Sequence, residues 1–211
     1  MIPSLPFDLP AGADGALGIA IGLGLAAAAG LRVFVPLVAL AIAGKTGLLT
    51  LSPGFAWLAT TPALIALGTA CLLEIGGYYI PWVDHLLDVV ATPAALIAGM
   101  VATASVVTDL PPMVKWAVVL IGGGAAGLTQ GASVLTRLKS TATTGGVANP
   151  VVSTIELVGA VATSALAILV PIVAIIVCLV ACVWAFRRAG RFVFGRLRRP
   201  ALAPPIPPAS A

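Results

Sequence analysis

The sequence predicts an all-α fold, a polytopic transmembrane helix bundle, and three observations predict it. Of 211 residues, 60% are hydrophobic and 9% charged, and the mean hydropathy is +1.15. So few charges cannot solvate the surface of a soluble domain of this size. Long uncharged runs recur from Gly15 to the neighbourhood of Phe186. None alternates in the ten-residue manner of barrel strands, so each run reads as a helix that satisfies its own backbone within the bilayer.

Taken in order, residues 1–14 form a polar N-terminal segment, "MIPSLPFDLPAGAD", without Lys or Arg and with two Asp and three Pro. A cleaved signal peptide begins with the opposite charge pattern and is not expected. Residues 15–186 form the membrane domain, with apolar segments at 16–43, 55–79, 91–108, 113–135 and 151–186. Turn-rich pieces such as "GKTGLLTLSPG" and "STATTGGVANP" separate them. The last segment has 36 residues and would make a straight helix of about 54 Å against a hydrocarbon core of about 30 Å. Pro171 near its middle either turns the chain, for six spans in total, or kinks one helix that runs on into the cytoplasm, for five. Residues 187–211 form a tail that is first basic, then Pro-rich.

Charge counting leaves both topologies standing. Six spans with both ends inside put Arg137, Lys139 and the six tail arginines (Arg187, Arg188, Arg191, Arg196, Arg198, Arg199) inside, against Lys45 and Lys115 outside. Five spans with the N-terminus outside exchange the two smaller pairs and score the same eight to two. An internal repeat favours six. "AAAAGLRVFVPLVALAIAGKTG" and "GAAGLTQGASVLTRLKSTATTGG" share an "AAGL" core, and each leads through a Gly-rich turn to a Pro-led apolar segment bearing one Glu, Glu74 or Glu156. Repeats of three spans, about 15–110 and 113–186, must have opposite topology, the layout of inverted-repeat transporters.

Within these helices Gly18, Gly22 and Gly30, and again Gly123, Gly127 and Gly131, share a face at multiples of four. Such smooth faces let membrane helices approach closely, and helix packing is their expected role. Arg32, midway along the first segment, needs an acidic partner, carbonyl groups or water, because a charge there costs about 2.5–3.5 kcal/mol on insertion scales. Glu74 is the expected partner and Glu156 another; the group is either a structural ion pair or a site that binds an ion or solute. In "TGGVANP" Asn149, with Ser153 beyond it, is placed to cap a helix whose N-terminus would face substrate.

"LLEIGGYYIPWVDHLLD" gathers three of the seven acids. Asp84 and Asp88 share a helical face with His85 between them, a set that would either ligate a divalent cation or lie solvated at the interface below an aromatic belt of Tyr78, Tyr79 and Trp82. Cys71, Cys178 and Cys182 lie in apolar segments and match neither a disulfide framework nor a zinc site. No nucleophile–base pair, phosphate loop or cofactor motif is present, so an enzyme is not expected and no cofactor is called for. Nor is nucleic acid a partner, since the basic excess is one short tail, read as an orientation signal that faces the cytoplasm of a bacterial inner membrane and touches lipid. The expected partners are the bilayer, an ion or small solute, and further copies of the chain. The expected function is a small transporter or channel, with a structural or scaffolding membrane protein as its rival.

Three stretches, "GLGLAAAAGLRVFVPLVALA", "LLEIGGYYIPWVDHLLD" and "NPVVSTIE", make the chain resemble the bacterial membrane proteins grouped as domain of unknown function 4126, over residues 15–186. The resemblance implies the membrane architecture and no particular chemistry. An Asp-Lys pair is expected in that family ahead of the Ile-Pro step, where this chain has Tyr78-Tyr79. A looser similarity of layout, to cation exchangers with acidic motifs in inverted three-helix repeats such as the lysine-exporter superfamily, implies ion or small-solute transport at the level of fold analogy alone.

Overall fold

A computed structural model describes residues 13–80, 83–108, 110–171, 173, 176 and 180. Among them there is no strand. The helices are α1 (Ala13–Ala29), α2 (Phe34–Lys45), α3 (Thr61–Gly77), α4 (Val83–Val106), α5 (Pro112–Thr144) and α6 (Asn149–Leu169), with a 3₁₀ helix over Pro53–Ala59 ahead of α3. α4, α5 and α6 are each long and apolar enough to cross a membrane. The 3₁₀ helix and α3, bent by 68° at their junction, would count as a fourth span if taken together.

The first apolar segment is not one helix. A Pro ring collides with the carbonyl four residues earlier, and Pro36 puts that collision at Arg32. The helix accordingly stops at Ala29 and restarts at Phe34, which leaves Pro36 in the first turn of α2, where its missing N–H does no harm. Elsewhere helices outrun the expected segments. α4 starts eight residues before the predicted 91, and α5 runs through "STATT" to Thr144. It stops there because Gly145 takes a left-handed φ of 63° and closes the last turn on the Thr141 carbonyl. α6 ends at Leu169, just ahead of Pro171, so the last segment is broken where proline breaks it. Cys178, Cys182, Trp82 and the arginine tail lie outside the described residues.

The centre of the bundle is made of small side chains. A Cβ on Gly18 would lie 2.8 Å from the Val106 carbonyl oxygen of α4, and one on Gly30 would run into the Ala126 carbonyl oxygen of α5. Only glycine permits that approach, and it carries the packing role expected of the glycine faces. Gly22, Gly123 and Gly127 are also in tight contact, whereas Gly131 faces open space. Polarity runs inside out. Along α6 the buried residues are Asn149, Ser153, Glu156, Ala160, Ser164 and Ala167, while Val151, Ile155 and Val158 are exposed. α5 likewise buries Gln130, Ser133 and Arg137 and exposes Leu128, Leu135 and Leu138. In water this would be a large sticky surface; in lipid it is the arrangement that turns apolar side chains to the acyl chains and keeps Arg137, Glu156 and Gln130 inside.

Candidate functional site

The alternating helix directions bring six helix ends together, the start of α2 among them. The C-terminal ends of α1, α3 and α5 meet the N-terminal ends of α4 and α6, and each brings polar residues. Arg137 lies seven residues before the end of α5 and Glu156 seven residues after the start of α6, each about 10 Å in from its helix terminus. The cluster therefore sits toward one end of the bundle.

Its centre is Tyr78, buried just past α3. The Arg32 guanidinium carbon is 4.0 Å from the ring centroid and that of Arg137 is 3.8 Å from it. Two guanidinium planes can stack this closely on one ring only from opposite faces, so Tyr78 separates two buried cations and attracts both. The Tyr78 hydroxyl donates to Asp88 Oδ1 at 3.2 Å, and Arg137 Nη1 lies 3.3 Å from the same oxygen. Arg137 also donates through Nη2 to Glu156 Oε2 and, at 3.4 Å, through Nε to Oε1. The Ser133 hydroxyl donates to Glu156 Oε1. One carboxylate thus receives a fork from α5 and a hydroxyl from the same helix face, which is the strong bidentate geometry available to arginine and not to lysine.

Arg32 is held differently. Its Nη2 donates to the Ser153 carbonyl at 2.8 Å and lies 3.9 Å from Glu156 Oε2. Its side chain is 1% exposed. The expected Arg32–Glu74 ion pair is not formed. Glu74 instead accepts the Val33 N–H at 2.7 Å and the Phe34 N–H at 3.0 Å. Two free N–H groups and the positive dipole end of α2 are left by the break at Arg32, and a carboxylate satisfies both. Glu74 is the cap of a half-helix rather than a partner of Arg32.

Asp84 and Asp88, expected either at a solvated interface or around a cation, do neither. Asp84 is buried; Oδ1 accepts from the His85 backbone N–H at 2.8 Å and lies 2.7 Å from His85 Nδ1, and Oδ2 accepts from Asn149 Nδ2 at 2.8 Å. Asp88 turns to Tyr78 and Arg137. The two acids share a helical face but have separate partners, and no group of His, Cys, Asp and Glu among the described residues could hold a metal ion. Asn149 and Ser153 do not cap α6. That helix has no side-chain cap, because its N-cap position is held by Ala148; Asn149, one residue inside, donates through Nδ2 to Asp84 and, at 3.1 Å, to Thr141. Tyr79, partly exposed, bonds Thr154 at 2.8 Å.

Arg137, Tyr78, Ser133 and Gln130 carry the site beyond what the sequence singled out. The available signal was the spacing of Gly123, Ala126, Gln130, Ser133 and Arg137, a continuous helical stripe of three and four that crosses the predicted end of the fourth segment. A surface depression lined by Gly44, Gly47, Leu49, Thr50, Leu51, Ala56 and Ala59 lies at the far end of α2 and touches none of these charges. The family model described as Domain of unknown function (DUF4126) matches residues 19–191. No curated protein and no solved structure matches the chain.

Proposed function

Because the chain belongs to the family described as domain of unknown function 4126, which assigns it no reaction, we propose a function from the buried cluster: a small membrane transporter or channel that passes an ion or small solute at Arg32, Arg137 and Glu156. The observation that carries this reading is Glu156 lying between two buried arginines, bonded to one and within 3.9 Å of the other. A buried ion pair is a weak way to gain stability, since apolar residues of the same volume do as well or better. An acid shared by two cations has a use that an apolar core lacks. If Glu156 shifts toward Arg32, its fork with Arg137 opens, and the α5–α6 contact loosens on the side where a solute would pass.

The reading keeps six spans in a bacterial inner membrane, with the arginine tail in the cytoplasm and several copies assembled. The two "AAGL" cores touch, Gly30 of the first lying against Ala126 of the second. Both α1 and α5 end at the cluster and so run in the same direction, whereas equivalent helices of inverted repeats run in opposite directions, and this contact gives the inverted repeat no support. Purified protein reconstituted into liposomes with ion- and proton-sensitive dyes tests the function. Flux above that of empty liposomes under at least one imposed gradient is expected; silence under every cation, anion and proton gradient contradicts it.

A structural role is the rival, and one observation favours it: Glu74 is consumed in holding α2, and Arg137 ties α4, α5 and α6 together. On that reading charge-conserving changes in the cluster alter folding without altering any flux.

A further inference from the structure

The geometry points to a small monoanion, of the size of chloride, nitrate or formate, as the solute the cluster receives, seated against the Arg32 guanidinium. The inference rests on the transport reading for its purpose, while the binding it predicts is measured at equilibrium with no flux. It starts from which buried atoms have no hydrogen-bond partner within the protein. Arg32 Nε, Arg32 Nη1 and Gln130 Nε2 are donors only, and the Ser153 hydroxyl can donate. Arg32, Gln130 and Ser153 are 1%, 2% and 0% exposed. An unmade bond at such a position costs about 1–3 kcal/mol, so four of them are a sizeable unmet demand.

Around Arg32 the demand is for an acceptor, and the unpartnered acceptor Asn149 Oδ1 lies on the Asp84 side. Arg32 is bound to the backbone of Ser153, so that residue's hydroxyl belongs to the same neighbourhood. Gln130 lies one turn before Ser133, whose hydroxyl is on Glu156. The carboxylates that would attract a cation are all engaged: Glu156 by Arg137 and Ser133, Asp88 by Tyr78 and Arg137, Asp84 by His85 and Asn149, and Glu74 by α2. An entering cation meets occupied acceptors, whereas an entering anion meets free donors. Close packing around Tyr78 limits the anion to a few atoms.

Charge balance adds a condition. The groups that face this place are Arg32 between α1 and α2, Glu74 and Tyr78 from the α3 end, Asp84 and Asp88 from α4, Arg137 from α5 and Glu156 from α6, with His85 at the rim. Arg32 and Arg137 offset Glu156 and Asp88, the α2 dipole offsets only part of Glu74, and Asp84 adds a further negative charge, so the group is negative overall. A monoanion is therefore best accommodated together with proton uptake by this group of acids, and its affinity rises as pH falls.

The test is the thermal stability of the full chain in detergent, titrated with sodium chloride, nitrate or formate against sodium gluconate at equal ionic strength, at two pH values. The small anions are expected to stabilise the protein saturably and more tightly at the lower pH. Exchanging sodium for potassium is expected to change nothing. Arg32→Lys, which keeps the charge and removes the fork, and Gln130→Leu, which removes an unpartnered donor and breaks no bond, should each weaken binding about tenfold or more. Gln130→Leu guards against misfolding of the arginine variant. Small anions no better than gluconate, equal affinity in both variants and the parent, or affinity that ignores pH would each overturn the seat. Anion binding without flux would overturn the transport reading and leave the seat. Cation flux without anion binding would do the reverse.

Discussion

Glu74 and Glu156 look alike in the sequence, each a lone acid in a Pro-led apolar segment, and both are buried at 6% exposure. Their partners differ in kind. Glu74 accepts two backbone N–H groups that exist because the first segment is broken, so its partners cannot leave without unwinding α2. Glu156 accepts side chains from Arg137 and Ser133 and stands beside Arg32. Side-chain partners can exchange; backbone partners at a helix start cannot. The difference separates a carboxylate that builds the fold from one that can work in it.

Four substitutions would break or sharpen that contrast. Glu156→Ala strands Arg137 and Arg32 in the interior and is expected to cost about 3–5 kcal/mol, the usual penalty for removing one partner of a buried pair, measured by denaturant unfolding in mixed micelles. Smaller is Gly30→Ala, in which the new Cβ meets a backbone oxygen that cannot swing away; α1 and α5 must part, at about 1–3 kcal/mol. Glu74→Gln keeps one acceptor at the α2 start but loses the charge, for about 1–2 kcal/mol, and flux in liposomes should survive. If it falls as far as in Glu156→Gln, the two acids are not different in kind. Tyr78→Phe retains the ring between the guanidiniums and loses only the bond to Asp88, for about 1 kcal/mol. A loss several times larger would show that the hydroxyl, rather than the ring, holds the cluster.

Much of the architecture was legible before any coordinates. Composition alone called for membrane helices, glycines spaced by four marked the faces on which α1, α4 and α5 approach, and Arg32 and Glu156 announced themselves as charges in apolar sequence. Their pairing was not legible, for a local reason. The break that Pro36 forces at Arg32 creates free N–H groups, and these took the carboxylate that a continuous helix would have left for the arginine. Arg137 was hidden because "STATTGG" reads as a turn, so the residue was counted as a loop charge, whereas the helix continues seven residues beyond it. Ser and Thr hydroxyls there bond back to carbonyls of the preceding turn, as Thr143 and Thr144 do, so the hydroxyls of a turn-like sequence are satisfied within the helix. Tyr78 read as one of an aromatic belt because stacking between two cations from distant helices leaves no mark in a single local stretch. Asp88 followed Tyr78 inward for the same reason.

The central claim is that Glu156 is a working carboxylate and Glu74 a structural one. The measurement that meets it directly is the ratio of solute flux through Glu156→Gln to that through Glu74→Gln, in liposomes carrying equal amounts of folded protein. The account predicts flux near the parent's for Glu74→Gln and loss to the empty-liposome level for Glu156→Gln. Equal rates in the two variants, or no flux through the parent under any gradient, would contradict it.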